Sequence, residues 1–592
     1  MRAADLMAKS LEKQGVERMF CVPGESYLAL LDALHDTDIE VVACRHEGGA
    51  GFMAVADAKL TKKPGVLAIS RGPGATNASI AIHLAQQDAV PLVVIIGQVA
   101  REERGRGSFQ EIDYEMMFGG IAKNVVELSH ANNLSEVVAR AFHDAMSGTP
   151  GPVVVSVMED VLLDEAADLV WPVMHHASPG HDMAQVKEAA ALLAKAKRPL
   201  IIAGGAMDTE QGRHWLQELA LSQVIPVALT NRRQEIFDNG LIQYAGHLGF
   251  KIPAPHVDLL KRHDLIIALG TRLTDVPTQG YQLPTAPVNH APIIHVYPDH
   301  EPLGRVFQTA LPVLADPTAF AEALVAEAGA VPEERISWVE EIAAFVGSVK
   351  NFEPRQFDDG LDFGIVVQEL AKQAPHDCII CEDAGNFSSW VHRIWPFDGK
   401  NLAIGAIGGA MGLAVPAAVA AGLRYPGRMV MAFAGDGGVM MTGNELATAL
   451  QAQVPVKLVV SNNGSYGTIR LHQERDHPYR TVATKLTNPD FVAWASSFGA
   501  LGLKVGMGDD VAGIVQQFLS HDGPAVLDVH SSLEAINAFT TMERLRVQSF
   551  RSLIDQPPSM MSVWPVIQDE ALLARNTMAP AMSSGVPRRF RA

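Results

Sequence analysis

Between Met429 and Asn463 the chain encodes two buried strands whose ends carry oxygen ligands, and few folds accommodate that arrangement. The run Met429–Ala434 is apolar and of strand length, and it stops at Gly435-Asp436-Gly437-Gly438, where a single carboxylate sits among glycines. A segment of helical period follows over Asn444–Gln451, with Leu446, Ala449 and Leu450 on one face. A second apolar run, Val456–Val460, then delivers Ser461-Asn462-Asn463-Gly464. Strand, helix and strand in this order bring Asp436 and Asn463 to one edge of a parallel sheet, where α/β proteins hold ligands. One carboxylate and one carboxamide, completed by phosphate oxygens and water, suit Mg²⁺. The glycines let backbone N–H groups approach a diphosphate. Either half alone is an ordinary turn or loop; the pair, framing a helix, carries the inference.

The rest of the chain repeats the alternation. A first helix over residues 2–14 ends at Gly15. Arg18–Val22, Tyr27–Leu34, Glu40–Ala43, Gly48–Leu60, Val66–Ser70, Ala75–Gln87 and Leu92–Ile96 then alternate strand and helix patterns, which predicts a doubly wound parallel sheet. Its strand ends carry Gly24-Glu25-Ser26, Arg45-His46-Glu47-Gly48 and Arg71-Gly72-Pro73-Gly74. Pro199–Gly205, Leu265–Arg272 and Ile293–Val296 give further buried strands punctuated by glycine. At 592 residues the chain has room for three or four domains. The reading is an α/β protein of three domains with parallel sheets flanked by helices, at residues 1–165, 186–335 and 355–540, with a weakly structured tail over 546–592.

Composition narrows the partners. Acidic residues outnumber basic ones 66 to 47, giving a net charge of −19, and no basic patch argues for nucleic acid. A small molecule is the expected partner. No apolar run reaches membrane length and the N-terminus has no apolar signal core, so the expected location is the cytoplasm. Four cysteines are too few for a disulfide framework. Cys378 and Cys381 lie in the strand-like run CIIC, where residues i and i+3 face opposite ways, so two buried thiols are expected rather than a metal pair. No G-x-G-x-x-G occurs, which weakens a nicotinamide or flavin oxidoreductase. His46 and His83 receive no role.

The GDG-to-NN unit resembles the thiamin-diphosphate binding signature, and over roughly residues 1–545 the chain is similar to the acetolactate synthase-like enzymes of that family. The resemblance implies pyrimidine-binding, central and diphosphate-binding domains in that order, with thiamin diphosphate and Mg²⁺ as cofactors. It also implies an enzyme acting on a 2-oxo acid or aldehyde. RHEGGAGFMA is similar to the segment that sets a carboxylate against the pyrimidine ring, which makes Glu47 the end of a proton relay. GPGATN places Gly74 and Asn77 beside it, and Gly24 and Glu25 fall on the cofactor side. Asn386 and Phe387 match diphosphate-contacting positions, although phenylalanine there removes a donor. The Gly409 carbonyl would accept from the pyrimidine amine, and Met411 would wedge the two rings together. Gly435, Asp436, Gly437, Gly438, Asn463, Ser465, Tyr466 and Gly467 complete the cofactor set, with Asp436, Asn463 and the Ser465 carbonyl on the metal. Phe109 and Gln110 match a substrate-facing pair, and Ser26, Ile469 and His472 fall on the substrate side.

Segments 204–206, 270–272 and 297–305 match a flavin site in part, so FAD is an optional further cofactor. Two positions depart from the synthase pattern. Val276 stands where an arginine holds the carboxylate of the second 2-oxo acid, and His472 stands where a tryptophan favours larger acceptors. Valine offers no charged fork. The acceptor therefore stays open between carboligation, simple decarboxylation, a sulfoacetaldehyde acetyltransferase and an aldehyde lyase, with a non-catalytic relative as the contrasting class. Family members complete the site between two subunits, which implies a homodimer or homotetramer; whether Glu47 and Asp436 meet within one chain is left open.

Overall fold

The computed structural model describes residues 1–250 and 252–554. Three six-stranded sheets, all parallel, follow one another along the chain. The first is built from β1 (Arg18–Cys21), β2 (Glu40–Ala43), β3 (Gly65–Ile69), β4 (Leu92–Gln98), β5 (Asn124–Leu128) and β6 (Pro152–Met158), in the order β2-β1-β3-β4-β6-β5. The second has β7 (Pro199–Ala203), β8 (Val227–Thr230), β9 (Tyr244–Leu248), β10 (Leu265–Leu269), β11 (Ile293–Tyr297) and β12 (Leu311–Leu314), in the order β12-β11-β10-β7-β8-β9. The third has β13 (Ile379–Glu382), β14 (Leu402–Gly405), β15 (Val430–Gly435), β16 (Lys457–Asn462), β17 (Leu501–Val505) and β18 (Ala525–His530), in the order β14-β13-β15-β16-β18-β17. The first and third sheets thus share one topology. Their strand order reverses between β1 and β3, and between β13 and β15, which is where open α/β sheets bind ligands.

Burial explains the sequence patterns. Every residue of β3, β4 and β6 is buried, so these strands read as unbroken apolar runs rather than as alternation. The edge strand β12 alternates buried and exposed positions and tolerates Pro312, whose missing N–H costs nothing at an edge. Cys378 and Cys381 are free and buried, and they enter cores on opposite faces of the third sheet. Among the described residues no helix is long and apolar enough to cross a membrane.

The first and third sheets are joined through helices. Helix α1 (Glu47–Thr61) is buried at every position from Gly48 to Lys59, as expected of a helix with no polar face. It lies against α2 (Pro73–Asp88) and α3 (Ala414–Arg424), and alanines of all three share one core. A Cβ on Gly51 would come within 2.4 Å of the Ala81 methyl, so only glycine permits this approach of α1 to α2. The entry to α1 is fixed from the third domain. Glu445, fully buried, accepts from the backbone N–H groups of Arg45 and His46 at 3.0 Å each and from the Thr448 hydroxyl at 2.6 Å.

Two expectations are corrected. The helix beyond the GDG turn does not wait until Asn444: α4 (Asp436–Thr442) starts at the carboxylate itself, and a 3₁₀ turn over Gly443–Glu445 leads into a helix over Leu446–Gln451. The two glycines hid this start, because glycine is a poor helix former in isolation. The tail is also more ordered at its beginning than expected. Helix α5 (Gly467–Asp476) packs against α6 (Met542–Ile554), and Arg546 pairs with the buried Glu474 at 2.6 Å. The remaining tail, 555–592, lies outside the described residues.

Replacing Glu445 with alanine leaves two backbone donors without their buried acceptor and is expected to cost about 2 kcal/mol. Urea unfolding measures this; Glu445→Gln, which keeps an acceptor oxygen, should lose less.

Candidate active site

The first half of the site forms at the ends of β2 and β3. His46 precedes α1 and accepts from the Gly48 N–H through Nδ1 at 3.0 Å, which sets the helix start. Glu47 is the first helical residue and is half-buried. Its Oε2 accepts from Asn77 Nδ2 at 2.9 Å. Gly74 lies so close that a Cβ there would come within 3.3 Å of Glu47 Oε1. The two segments singled out in the sequence, RHEGG and GPGATN, therefore converge, with one carboxylate oxygen held and the other beside an open edge. Gln110 packs on Gly72, adopts a left-handed backbone (φ +64°), and buries Oε1 without a hydrogen-bond partner. Phe109 beside it is 75% exposed. Glu111 anchors their loop by accepting from the N–H groups of Gly107 at 3.1 Å and Ser108 at 3.2 Å. The Gly105 N–H, followed by the Arg104 guanidinium, holds its carboxyl down at about 2. Glu25 is exposed and Gly24 closes on Ser70.

Ser26 differs from expectation. It is fully buried, pairs with the Ser70 hydroxyl at 3.1 Å and accepts from the Arg71 N–H at 3.2 Å. It braces the turn behind Gly72 and offers no free face to a substrate.

The second half forms at the ends of β13, β15 and β16. Asp436 is buried; its Oδ1 accepts from the Gly437 N–H at 3.0 Å and its Oδ2 from the Ser465 N–H at 3.2 Å and Asn488 Nδ2 at 2.7 Å. The same Ser465 N–H points at Asn463 Oδ1, 3.1 Å away, so the carboxylate and the carboxamide oxygen converge on one spot. Burial raises the Asp436 pKa, and the Asn488 hydrogen bond opposes that shift. The Tyr466 ring covers Gly437, and Gly467 fits between Asn386 and Asn463. Asn386 donates its N–H to the Thr468 hydroxyl at 3.0 Å. Phe387 is buried with its ring against Gly385 and Gly435, where it backs the turn.

Two residues were missed. Asn488 bridges Asp436 and Asn462 Oδ1 (2.9 Å), but nothing about its NPD setting distinguishes it from a loop residue. Asp383 accepts from the Gly412 N–H at 2.7 and 2.9 Å and presses on Gly438, which ties the Gly409–Gly412 run to the GDG turn; burial pushes its carboxyl up to about 6. Its place at the end of β13 was the available signal. In the run it holds, Gly409 is exposed with φ +71° and Met411 is half-buried. Ile469 and His472 lie on the exposed part of α5, and Val276 is half-buried beyond β10.

The donor set at Asp436 is one carboxylate and one amide oxygen, which suits Mg²⁺ when diphosphate and water supply the rest. Among the described residues no group of three or more His, Cys, Asp or Glu could hold a metal alone. The flavin segments fit less well. The Arg233 guanidinium covers Gly205 and pairs with Asp208, which also binds Lys62 at 2.5 Å and Arg213 at 2.5 Å. Arg272 donates to the Gln87 carbonyl, and Asp299 accepts from the Thr149 N–H at 2.9 Å. Charged side chains and contacts with the first domain thus lie along these segments.

A helix-start carboxylate braced by an asparagine, paired in the same fold with a glycine-framed Asp/Asn ligand set, defines the class of thiamin-diphosphate enzymes. Three family models match: the N-terminal TPP binding domain of thiamine pyrophosphate enzymes over residues 1–117, the central domain over 186–324 and the C-terminal TPP binding domain over 383–529. The chain is 33% identical over 549 residues to an acetolactate synthase of Mycobacterium bovis, covering 89% of this chain and 88% of that protein. It is 30% identical over 534 residues to the acetolactate synthase isozyme 2 large subunit of Escherichia coli K12, covering 89% and 95%. The chain belongs to the thiamine pyrophosphate enzymes and is acetolactate synthase-like within them.

Asn488→Ala removes the side-chain donor to Asp436 Oδ2 and is expected to weaken thiamin-diphosphate binding about tenfold, the effect of one hydrogen bond to a charged group. Calorimetric titration in Mg²⁺-containing buffer reads this directly.

Proposed function

We propose that this chain is a cytoplasmic, Mg²⁺- and thiamin-diphosphate-dependent enzyme that decarboxylates a 2-oxo acid and ligates the product to a second carbonyl compound. The observation that supports it best is the matched pair of half-sites, Glu47 with Asn77 on the first sheet and Asp436 with Asn463 on the third. Bound thiamin diphosphate supplies the electron sink for decarboxylation. Asp436, Asn463 and the Ser465 carbonyl would hold the metal, and Gly435, Gly437, Gly438, Asn386, Tyr466 and Gly467 would surround the diphosphate. Glu47 would hold a proton at the pyrimidine nitrogen, with Asn77 fixing one of its carboxylate oxygens. The Gly409 carbonyl would accept from the pyrimidine amine, and Met411 would pack against the rings. Gln110, Phe109, Ile469 and His472 line the substrate side.

Among the described residues of one chain, no hydrogen bond links Glu47 or Asn77 to Asp436, Asn463 or Asn488. Beside the half-sites, α2 and α4 expose Ile80 (40%), Met440 (52%) and Met441 (45%). Both facts support a homodimer or homotetramer in which a second chain covers these residues and completes the site.

Val276 favours a second reading for the acceptor. Without a guanidinium fork, an aldehyde or a simple proton fits better than a second 2-oxo acid, as in a decarboxylase, an aldehyde lyase or a sulfoacetaldehyde acetyltransferase.

Mass spectrometry after incubation with 2-oxo acids, alone and with aldehydes, is expected to show CO₂ release and an acyloin product. No turnover of any 2-oxo acid would contradict the proposal. Glu47→Gln should still bind cofactor but slow proton exchange at the thiazolium carbon about a hundredfold by NMR.

A further inference from the structure

The buried pair Lys59–Asp88 lies away from both half-sites, yet it reaches the backbone between them. Lys59 sits in the last turn of α1 and Asp88 ends α2; they are 8% and 3% exposed. The Lys59 ammonium donates to Asp88 Oδ2 and to the Gly405 carbonyl, the latter at 2.6 Å. Asp88 in turn accepts from the Ile407 N–H at 3.2 Å and the Gly408 N–H at 2.8 Å. Gly408 is pressed onto α2, where a Cβ would come within 2.9 Å of Gln87 Cβ. The far end of the same run is tied by the Gly412 N–H to Asp383. Gly409, Ala410 and Met411 therefore span two fixed points, one supplied by the first domain and one by the third.

Helices α1 and α2 carry these grips at one end and Glu47 and Asn77 at the other, about 18 Å away along α1 at 1.5 Å per residue. Two buried charges cost desolvation, and a well-packed apolar pair would hold the helices together equally well. An apolar pair would not, however, grip a carbonyl and two N–H groups.

We propose that the Lys59–Asp88 ion pair is a positioning element for the cofactor, setting the height of the Gly409–Met411 span from the ends of α1 and α2 in the same chain. This rests on the reading that the span faces the thiamin rings. A displaced Gly409 carbonyl would leave the pyrimidine amine misaligned, and proton removal from the thiazolium is sensitive to such misplacement.

The test uses full-length, assembled Lys59→Met/Asp88→Asn, which removes both charges at nearly constant volume. Cofactor-loaded protein is expected to keep its assembly and cooperative unfolding, while proton exchange at the thiazolium carbon slows at least about tenfold. Lys59→Arg, which keeps the pair, should exchange like the parent. If the double variant fails to fold, Gly408→Ala, which lifts the run off Gln87, should slow exchange in the same way. Parental exchange in either folded variant would overturn the proposal alone. A parent that binds thiamin diphosphate but does not exchange this proton would overturn the functional reading and the proposal with it.

Discussion

The structure depends on how closely α1 can be enclosed. Its first turns are glycine and alanine, and a helix so small in cross-section packs against α2 on one side and the alanine face of α3 on the other. This makes one continuous core out of residues from the first and third domains. Because Glu47 is the first residue of that helix, its position follows from packing far from any ligand. Glu445 fixes the entry from the third domain, and the Lys59–Asp88 pair fixes the exit. A catalytic carboxylate must be held within fractions of an ångström, and a helix gripped at both ends does this better than a loop.

The central domain contributes a strut of buried charge. Arg232, held at a left-handed φ of +60°, pairs with Glu382 and donates to the Asp383 carbonyl at 2.9 Å and the Ser388 hydroxyl at 3.1 Å. His392 meets the same Glu382 carboxylate at 2.7 Å. These contacts brace the end of β13, from which Asp383 reaches the cofactor-side run. Arg233 and Asp208 meanwhile tie the domain to Lys62 at the end of α1. The sheet has the strand order of dinucleotide-binding folds, and the Arg233 guanidinium packs on Gly205 in the turn after β7.

Much of this was legible because it lies within short segments. Asp436 and Asn463 each close an apolar strand, so alternation alone brings them to one sheet edge. Glu47 was visible as a carboxylate between a strand and an alanine-rich helix. The misreading of Ser26 has a physical cause. It has chemically plausible neighbours in sequence, but its orientation is decided by Ser70, which is distant along the chain. Asn488, Asp383 and Asp88 escaped notice for the converse reason. Each acts on a partner 52, 29 and 319 or 320 residues away, at a separation no local pattern encodes. The start of α4 was missed because its glycines lower helix propensity, while the protein needs them to admit the Tyr466 ring and the Asp383 carboxylate.

If the two half-sites function together across a chain boundary, mixing two inactive variants restores activity. Glu47→Gln lacks the first half and Asp436→Ala the second; each alone should be inactive. Unfolded together and refolded as a mixture, they should recover roughly a quarter of parental activity, since half of random dimers are mixed and one of two sites in each is intact. Recovery at that level, dependent on co-refolding, is the predicted result. A mixture as inactive as its components, in particles shown to be mixed dimers, would mean that each site is completed within its own chain and would contradict the account.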